Sequence, residues 1–182
     1  MTEENAQYDP SSVLESLYAQ YTKDSIVDES TQFPSIPTGK YRIQVDKREV
    51  YPTGDLRENP IKNLVGRQFA SLSAPVAKDG KKHGRFFFKV SWEERRTDKG
   101  GLDKVAQSWG QLMDALACRG KSAGHTLEVV MQYPIDVTVN EQYIDEKGAW
   151  HTITTDEQRK QAREEGRNIM NVLQRIEKAK AE

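Results

Sequence analysis

The stretch Lys81-Lys82-His83-Gly84-Arg85-Phe86-Phe87-Phe88-Lys89-Val90-Ser91-Trp92 decides how the rest of the chain is read. It sets three consecutive phenylalanines and a tryptophan among five basic side chains, directly after a glycine-containing turn. With a period of two, Phe86, Phe88, Val90 and Trp92 share one face and Arg85, Phe87, Lys89 and Ser91 the other. A strand is implied, and its second face is the unusual one. An outward phenylalanine between two cations is an exposed apolar group unless something covers it. Nucleic acid makes use of both groups, because bases stack on rings and phosphates pair with Lys and Arg. A buried strand with a solvated basic edge has the same composition, so both readings stand. Trp92, at the strand's end, is open between core and binding surface.

Working backwards, Lys78-Asp79-Gly80-Lys81 is a turn, so a hairpin joins this strand to an earlier one over residues 67–76, with Pro75 near its end or at an edge. Before that, Tyr41, Ile43 and Val45 alternate with Arg42 and Gln44, a half-buried first strand that runs on towards Tyr51 with a bend near Asp46. Pro52-Thr53-Gly54-Asp55 is a turn, and the polar segment through Pro60 reads as a mobile loop. Residues 1–33 read as an acidic, mostly flexible arm with a short helix carrying Val13, Leu14, Leu17, Tyr18 and Tyr21, capped at Ser11-Ser12. Pro34, Pro37 and Thr38-Gly39 mark the entry to the folded body.

Working forwards, Leu102, Val105, Ala106, Trp109, Leu112, Met113, Leu116 and Ala117 recur at helical spacing, with Gly120 as the stop. Residues 126–131 and 135–143 have strand composition, divided by Tyr133-Pro134. Lys147-Gly148 is a turn and residues 149–154 complete a hairpin. Residues 156–182 read as a helical C-terminal extension that Gly166 divides in two. A strand at 168–176 is the weaker alternative, because Ile169, Met170, Val172, Leu173 and Ile176 do not alternate.

The expected fold is therefore mainly β with flanking helices. The order over residues 34–155 is that of the OB-fold, a five-stranded Greek-key barrel with a helix between strands three and four.

The 182 residues carry 36% hydrophobic and 30% charged side chains, enough for one domain with a core. No apolar run approaches a membrane span, and the acidic N-terminus has no signal-peptide pattern. Cys118 is the only cysteine, which excludes an internal disulfide and points to a reducing, cytoplasmic setting. The net charge of −1 hides an uneven distribution. Residues 1–33 hold seven acids and one base, residues 34–125 ten acids and eighteen bases, and residues 126–182 eleven acids and eight bases. A basic middle attracts polyanions, although solvated surface charge accounts for it equally well.

Other chemistry finds little support. Gly120-Lys121-Ser122 is not a phosphate loop, because Ala115 stands where the first glycine is required. His83, His125 and His151 are scattered and Cys118 has no CxxC partner, so no zinc spacing exists. Glu93-Glu94 and Arg95-Arg96 form a charge cluster at a strand end. The aromatic and basic set is the better lead. Phe87, Trp92, Phe69, Tyr41 and Tyr51 are the candidate stacking rings, whereas Phe86, Phe88 and Trp109 belong to the core by periodicity. The candidate phosphate contacts are Lys40, Arg42, Lys47, Arg48, Arg67, Lys81, Lys82, Arg85 and Lys89.

Three segments, Ile36-Pro37-Thr38-Gly39-Lys40-Tyr41, Gly84-Arg85-Phe86-Phe87-Phe88 and Trp109-Gly110-Gln111-Leu112-Met113-Asp114-Ala115-Leu116, make residues 36–153 resemble the phage-encoded single-stranded DNA-binding proteins with an OB-fold. The resemblance implies a barrel that covers single strands during replication or recombination, without cofactor or catalysis. Replication or recombination proteins are then candidate partners and a homo-oligomer a candidate state. In such families an acidic tail recruits partners from the C-terminus, whereas here the acidic segment is N-terminal. The competing expectations are a structural or adaptor protein, such as a virion component assembling through its terminal segments, and a nucleic-acid enzyme. The enzyme would need a carboxylate cluster.

Overall fold

The computed structural model describes residues 35–181, which are mainly β: seven strands in two antiparallel sheets, with three helices. The expected arm over residues 1–33, with its short helix, lies outside the described residues. The first expected strand is present as two. β1 (Gly39–Ile43) and β2 (Lys47–Tyr51) are separated by a bend at residues 44–46 and enter different sheets. Tyr41, Ile43 and Val45 are buried while Lys40, Arg42 and Gln44 are exposed, so the period of two holds through the crossing.

β2, β3 (Phe69–Lys78) and β4 (Lys81–Val90) form one sheet in chain order. In the other, the central strand is β5 (Ile135–Ile144), lined on one side by β7 (Met170–Lys178). β1 and β6 (Trp150–Ile153) share its other side, with Tyr41 opposite Val137 and Ile144 opposite Trp150. The core unites the buried faces of both sheets: Tyr41, Ile43 and Val45, then Leu72, Phe86, Phe88 and Val90, then Ile135, Val137 and Ile176. Each large apolar side chain so buried contributes about 1.5–3 kcal/mol of transfer free energy.

Helix α1 (Lys104–Ala115) starts where the Asp103 carboxylate accepts the Ala106 N–H, and buries Ala106, Trp109, Leu112 and Ala115 along one stripe. It ends before the expected stop at Gly120. Ala117 takes the left-handed conformation (φ 54°), and the N–H of Cys118 reaches back to the Met113 carbonyl, 2.8 Å. This is a Schellman closure with alanine in glycine's usual place. The helix lies against both sheets: Ser91, just beyond β4, donates to the Val105 carbonyl, and the Ile176 N–H of β7 donates to Gln111 Oε1, 2.8 Å. Among the described residues β4 and β7 are not hydrogen-bonded to each other, so the strands do not close a barrel.

Three local expectations are corrected. Residues 126–131 were expected as strand, but Ala123–Val129 is helix α2, because Ser122 caps it by accepting the His125 N–H and Thr126 and Leu127 face inward. The helical extension over residues 156–182 is helical only in α3 (Asp156–Glu164), which opens on a capping box between Thr155 and Gln158. Beyond it, Met170–Lys178 is strand β7, paired with β5 from Ile135 to Gln142, so the folded body does not stop at residue 155. A bulge hides that strand from the sequence. The register shifts between Thr138 and Val139, leaving Gln174 unpaired, and the apolar alternation breaks there.

The expected mobile loop is folded on itself. Asp55, with its side chain buried, accepts from the Ile61 N–H (2.8 Å) and from the backbone and side chain of Arg57. Gly54 (φ 87°) pairs with Val65, and a Cβ there would lie 2.5 Å from the Gly66 nitrogen, so only glycine fits.

A second buried carboxylate, Glu141 of β5, ties α3 to the sheet. It accepts two hydrogen bonds from Arg159 Nε, one from Arg159 Nη2, and one from the Ser35 hydroxyl.

Candidate nucleic-acid interface

The β3–β4 hairpin is the scaffold of the candidate site. Asp79 (φ 51°) and Gly80 (φ 72°) form its two-residue turn, the backbone sign that suits the twist of a tight hairpin. Near the tip the register shifts opposite Val76/Ala77, leaving His83 without a ladder partner beside Gly84. The tip bends over β1. The His83 ring meets Tyr41 edge-on at 6.2 Å, and the Lys78 ammonium lies 5.4 Å from the centroid of the Tyr41 ring. Tyr41 is buried beneath them and donates its hydroxyl to the Pro37 carbonyl; burial, with the Glu141 charge, pushes its phenol pKa up.

Directly opposed residues of an antiparallel ladder share a face. One row of the β2–β3–β4 sheet is Leu72 with Phe88 and Arg48, and its neighbour is Ser73 with Phe87 and Lys47. The outward face therefore carries three successive sets: Pro75 with Arg85; Ser73 with Phe87 and Lys47; Ser71 with Lys89 and Glu49. At its far end Phe69 and Tyr51 stack at 4.5 Å with planes 3° apart. Phe87, at the centre, is 46% exposed, while Phe86 and Phe88 on either side are buried. Lys89 is half-buried, and burial, with the nearby Arg57 charge, lowers its ammonium pKa. Arg85 donates to Asp46 and, at 2.9 Å, to the Ser73 hydroxyl.

The structure thus brings Arg85, Phe87, Lys89 and Lys47 onto one face, with half-buried Tyr51 at its end and exposed Lys81 and Lys82 at the hairpin tip. It separates the others. Lys40 and Arg42 lie on the second sheet, where Lys40 pairs with Glu177 at 2.6 Å and Arg42 with Asp136 at 3.0 Å. Arg48 is exposed but belongs to the row of Leu72 and Phe88, opposite in sense to Phe87. Tyr41 is a core residue, and Phe69, although its register is that of the outward face, is buried. Trp92 is half-buried, tilted against Trp109 at 5.5 Å, with its indole N–H donated to Gln68.

Arg67 is the plainest correction. It is wholly buried, its Nη atoms hold both Asp103 oxygens, and its remaining donors go to the Ser91 hydroxyl and the carbonyls of Glu93 and Asn63. No donor is left for a phosphate.

Sequence reasoning overlooked Ser71 and Ser73, whose register is that of the outward face, Ser71 half-buried and Ser73 buried; their alternation with Leu72 and Ala74 was the available signal. It also overlooked Asp46 as the partner of Arg85 and the exposed pair Ile144 and Trp150 on the β5–β6 hairpin. Among the described residues no group of three or more His, Cys, Asp or Glu side chains is placed to hold a metal ion, and no helix is long and apolar enough to cross a membrane. No protein-family model matches this chain, and no curated protein matches it either.

Proposed function

We propose that this protein binds single-stranded DNA without catalysis and largely without regard to sequence. The observation that carries the reading is the outward face of β4, where an exposed phenylalanine stands between Arg85 and Lys89, across Ser73 from Lys47. Such a face lets a base stack on the ring while cations follow the backbone, and stacking is indifferent to which base arrives. Lysines at the hairpin tip extend the cationic track.

We read the body as OB-fold-like. β1 and β2 act as one bent strand shared by two sheets, β3 and β4 follow, α1 intervenes, and β5 and β7 complete the order, with β6 and α3 as an excursion. The face proposed for binding is then the one on strands two and three of that fold. Replication and recombination are the processes that expose single strands, and their proteins are the proposed partners. The adaptor reading is the less supported, since the C-terminal segment that would serve as an assembly arm is strand β7, paired along β5.

Titration of fluorescein-labelled oligothymidine, followed by anisotropy at low and high salt, tests the proposal. Binding should be tight at low salt, fall steeply as salt rises, and exceed binding to duplex DNA of equal length. No binding at low salt ends the reading. Strand cleavage that depends on a divalent metal would replace it with an enzyme.

A further inference from the structure

Arg85 is engaged by a carboxylate of the protein's own. Its guanidinium donates through Nη1 to Asp46 Oδ2 at 3.2 Å, through Nη2 to Asp46 Oδ1, and through Nη2 to the Ser73 hydroxyl at 2.9 Å. Asp46 lies in the bend between β1 and β2, and its N–H donates to the Ser73 carbonyl at 3.2 Å. Lys47 follows it in the chain and faces Ser73, which in turn faces Phe87. The Arg85 guanidinium, the hydroxyl of buried Ser73 and the Asp46 carboxylate are thus gathered one residue from the exposed ring, with Lys47 in register on the same face.

A carboxylate and a phosphodiester present a guanidinium with the same pair of anionic oxygens. We propose that Arg85, Ser73 and Lys47 form a phosphate subsite that Asp46 occupies in the unliganded protein and vacates for the backbone of a strand whose base lies on Phe87. This rests on the nucleic-acid reading above.

Two observations mark the pair as exchangeable. It is open to water, with side-chain exposures of 30% for Arg85 and 46% for Asp46, and such pairs hold weakly. It is also incomplete: Arg85 Nε is buried and has no hydrogen-bond partner among the described residues. Arg67, by contrast, has every nitrogen engaged and no exposure. Asp46 then acts as a filter. A lone anion must displace it unaided, whereas a strand brings a stacked base and further phosphates with it.

The test is Asp46→Asn, which removes the charge and keeps the shape, measured with the same oligothymidine. Affinity at low salt should tighten about two- to fivefold, the scale of an exposed ion pair. The salt dependence should steepen by at most about 0.7 in log–log slope. In the parent the carboxylate freed from Arg85 gathers a cation and offsets part of the counterion release from the strand, whereas the neutral amide of Asp46→Asn does not. Asp46→Ser should repeat both effects, and in an Arg85→Gln background Asp46→Asn should bring no gain. Unchanged or weaker binding by both Asp46 variants at unchanged melting temperature overturns the proposal.

Inorganic pyrophosphate, followed by the Arg85 Nε–H resonance, separates the subsite from the strand reading. A larger shift in Asp46→Asn than in the parent supports the subsite even if oligothymidine fails to bind. Immobility of that resonance in both proteins overturns it.

Discussion

Arg67 and Arg85 both serve the β2–β3–β4 sheet and both hold an aspartate, yet they belong to opposite kinds of structure. Arg67 lies in a dry knot at the α1 end, reaching 24 residues along the chain to Ser91 and 36 to Asp103. Arg85 lies on the open face, paired with Asp46 in water and with one nitrogen unsatisfied among the described residues. A buried guanidinium is tolerable only when its donors are all met, and meeting them leaves nothing for a ligand. A half-exposed one can exchange partners. The same residue type is therefore structural in one region and available in the other.

The largest test of this contrast is Arg67→Met. It strands the Asp103 carboxylate and the carbonyls of Glu93 and Asn63, and should cost about 3–5 kcal/mol in urea unfolding. A loss below about 1 kcal/mol would place Arg67 with the exposed pairs.

Acid should reach the same knot. Burial alone would raise the Asp103 pKa, but hydrogen bonds from Arg67 and the Ala106 N–H hold it below the usual carboxylate range. A carboxyl depressed on folding stabilises fully above its unfolded pKa of about 3.9, and that stabilisation is lost as pH falls through the folded value. Melting temperature should accordingly fall as the pH drops below about 4, and Arg67→Met should flatten that dependence.

On the open face, Phe87→Ala should weaken oligothymidine binding by about 1–3 kcal/mol for one lost stack. Stability should change by about 1 kcal/mol or less, as for a surface side chain. A large loss of stability would make Phe87 a core residue. Replacing Lys81 and Lys82 together by Gln should lower the salt slope by about 0.7 for each phosphate contact removed and leave the melting temperature alone. Smallest of all, Lys40→Gln should leave affinity and salt slope unchanged, because that lysine sits on the other sheet against Glu177.

The face of β4 was legible in advance because alternation and a two-residue turn are local properties. Asp79-Gly80 set the hairpin, and with the period of two it sent Phe86 and Phe88 inward and Phe87 outward. Where alternation failed, so did the reading. The bulge at Gln174 turned β7 into an apparent helix, and the Ser122 cap made a helix of Ala123–Val129 in spite of its strand-like neighbours. The candidate site was half legible for a related reason. A list of cations and rings carries no sign of which carboxylate will face each cation, or which ring will be covered.

By itself, then, the sequence determined the mainly β character, the bent first strand, the hairpin and the outward placement of Phe87. Each of these follows from backbone preferences and side-chain period within about ten residues. Only the tertiary structure decided that Arg67, Phe69 and Tyr41 are buried, that Lys40 and Arg42 belong to the second sheet, and that Asp46 sits on Arg85. Burial and ion pairing depend on partners brought from far along the chain, and a side chain's chemistry does not record which of them it will meet.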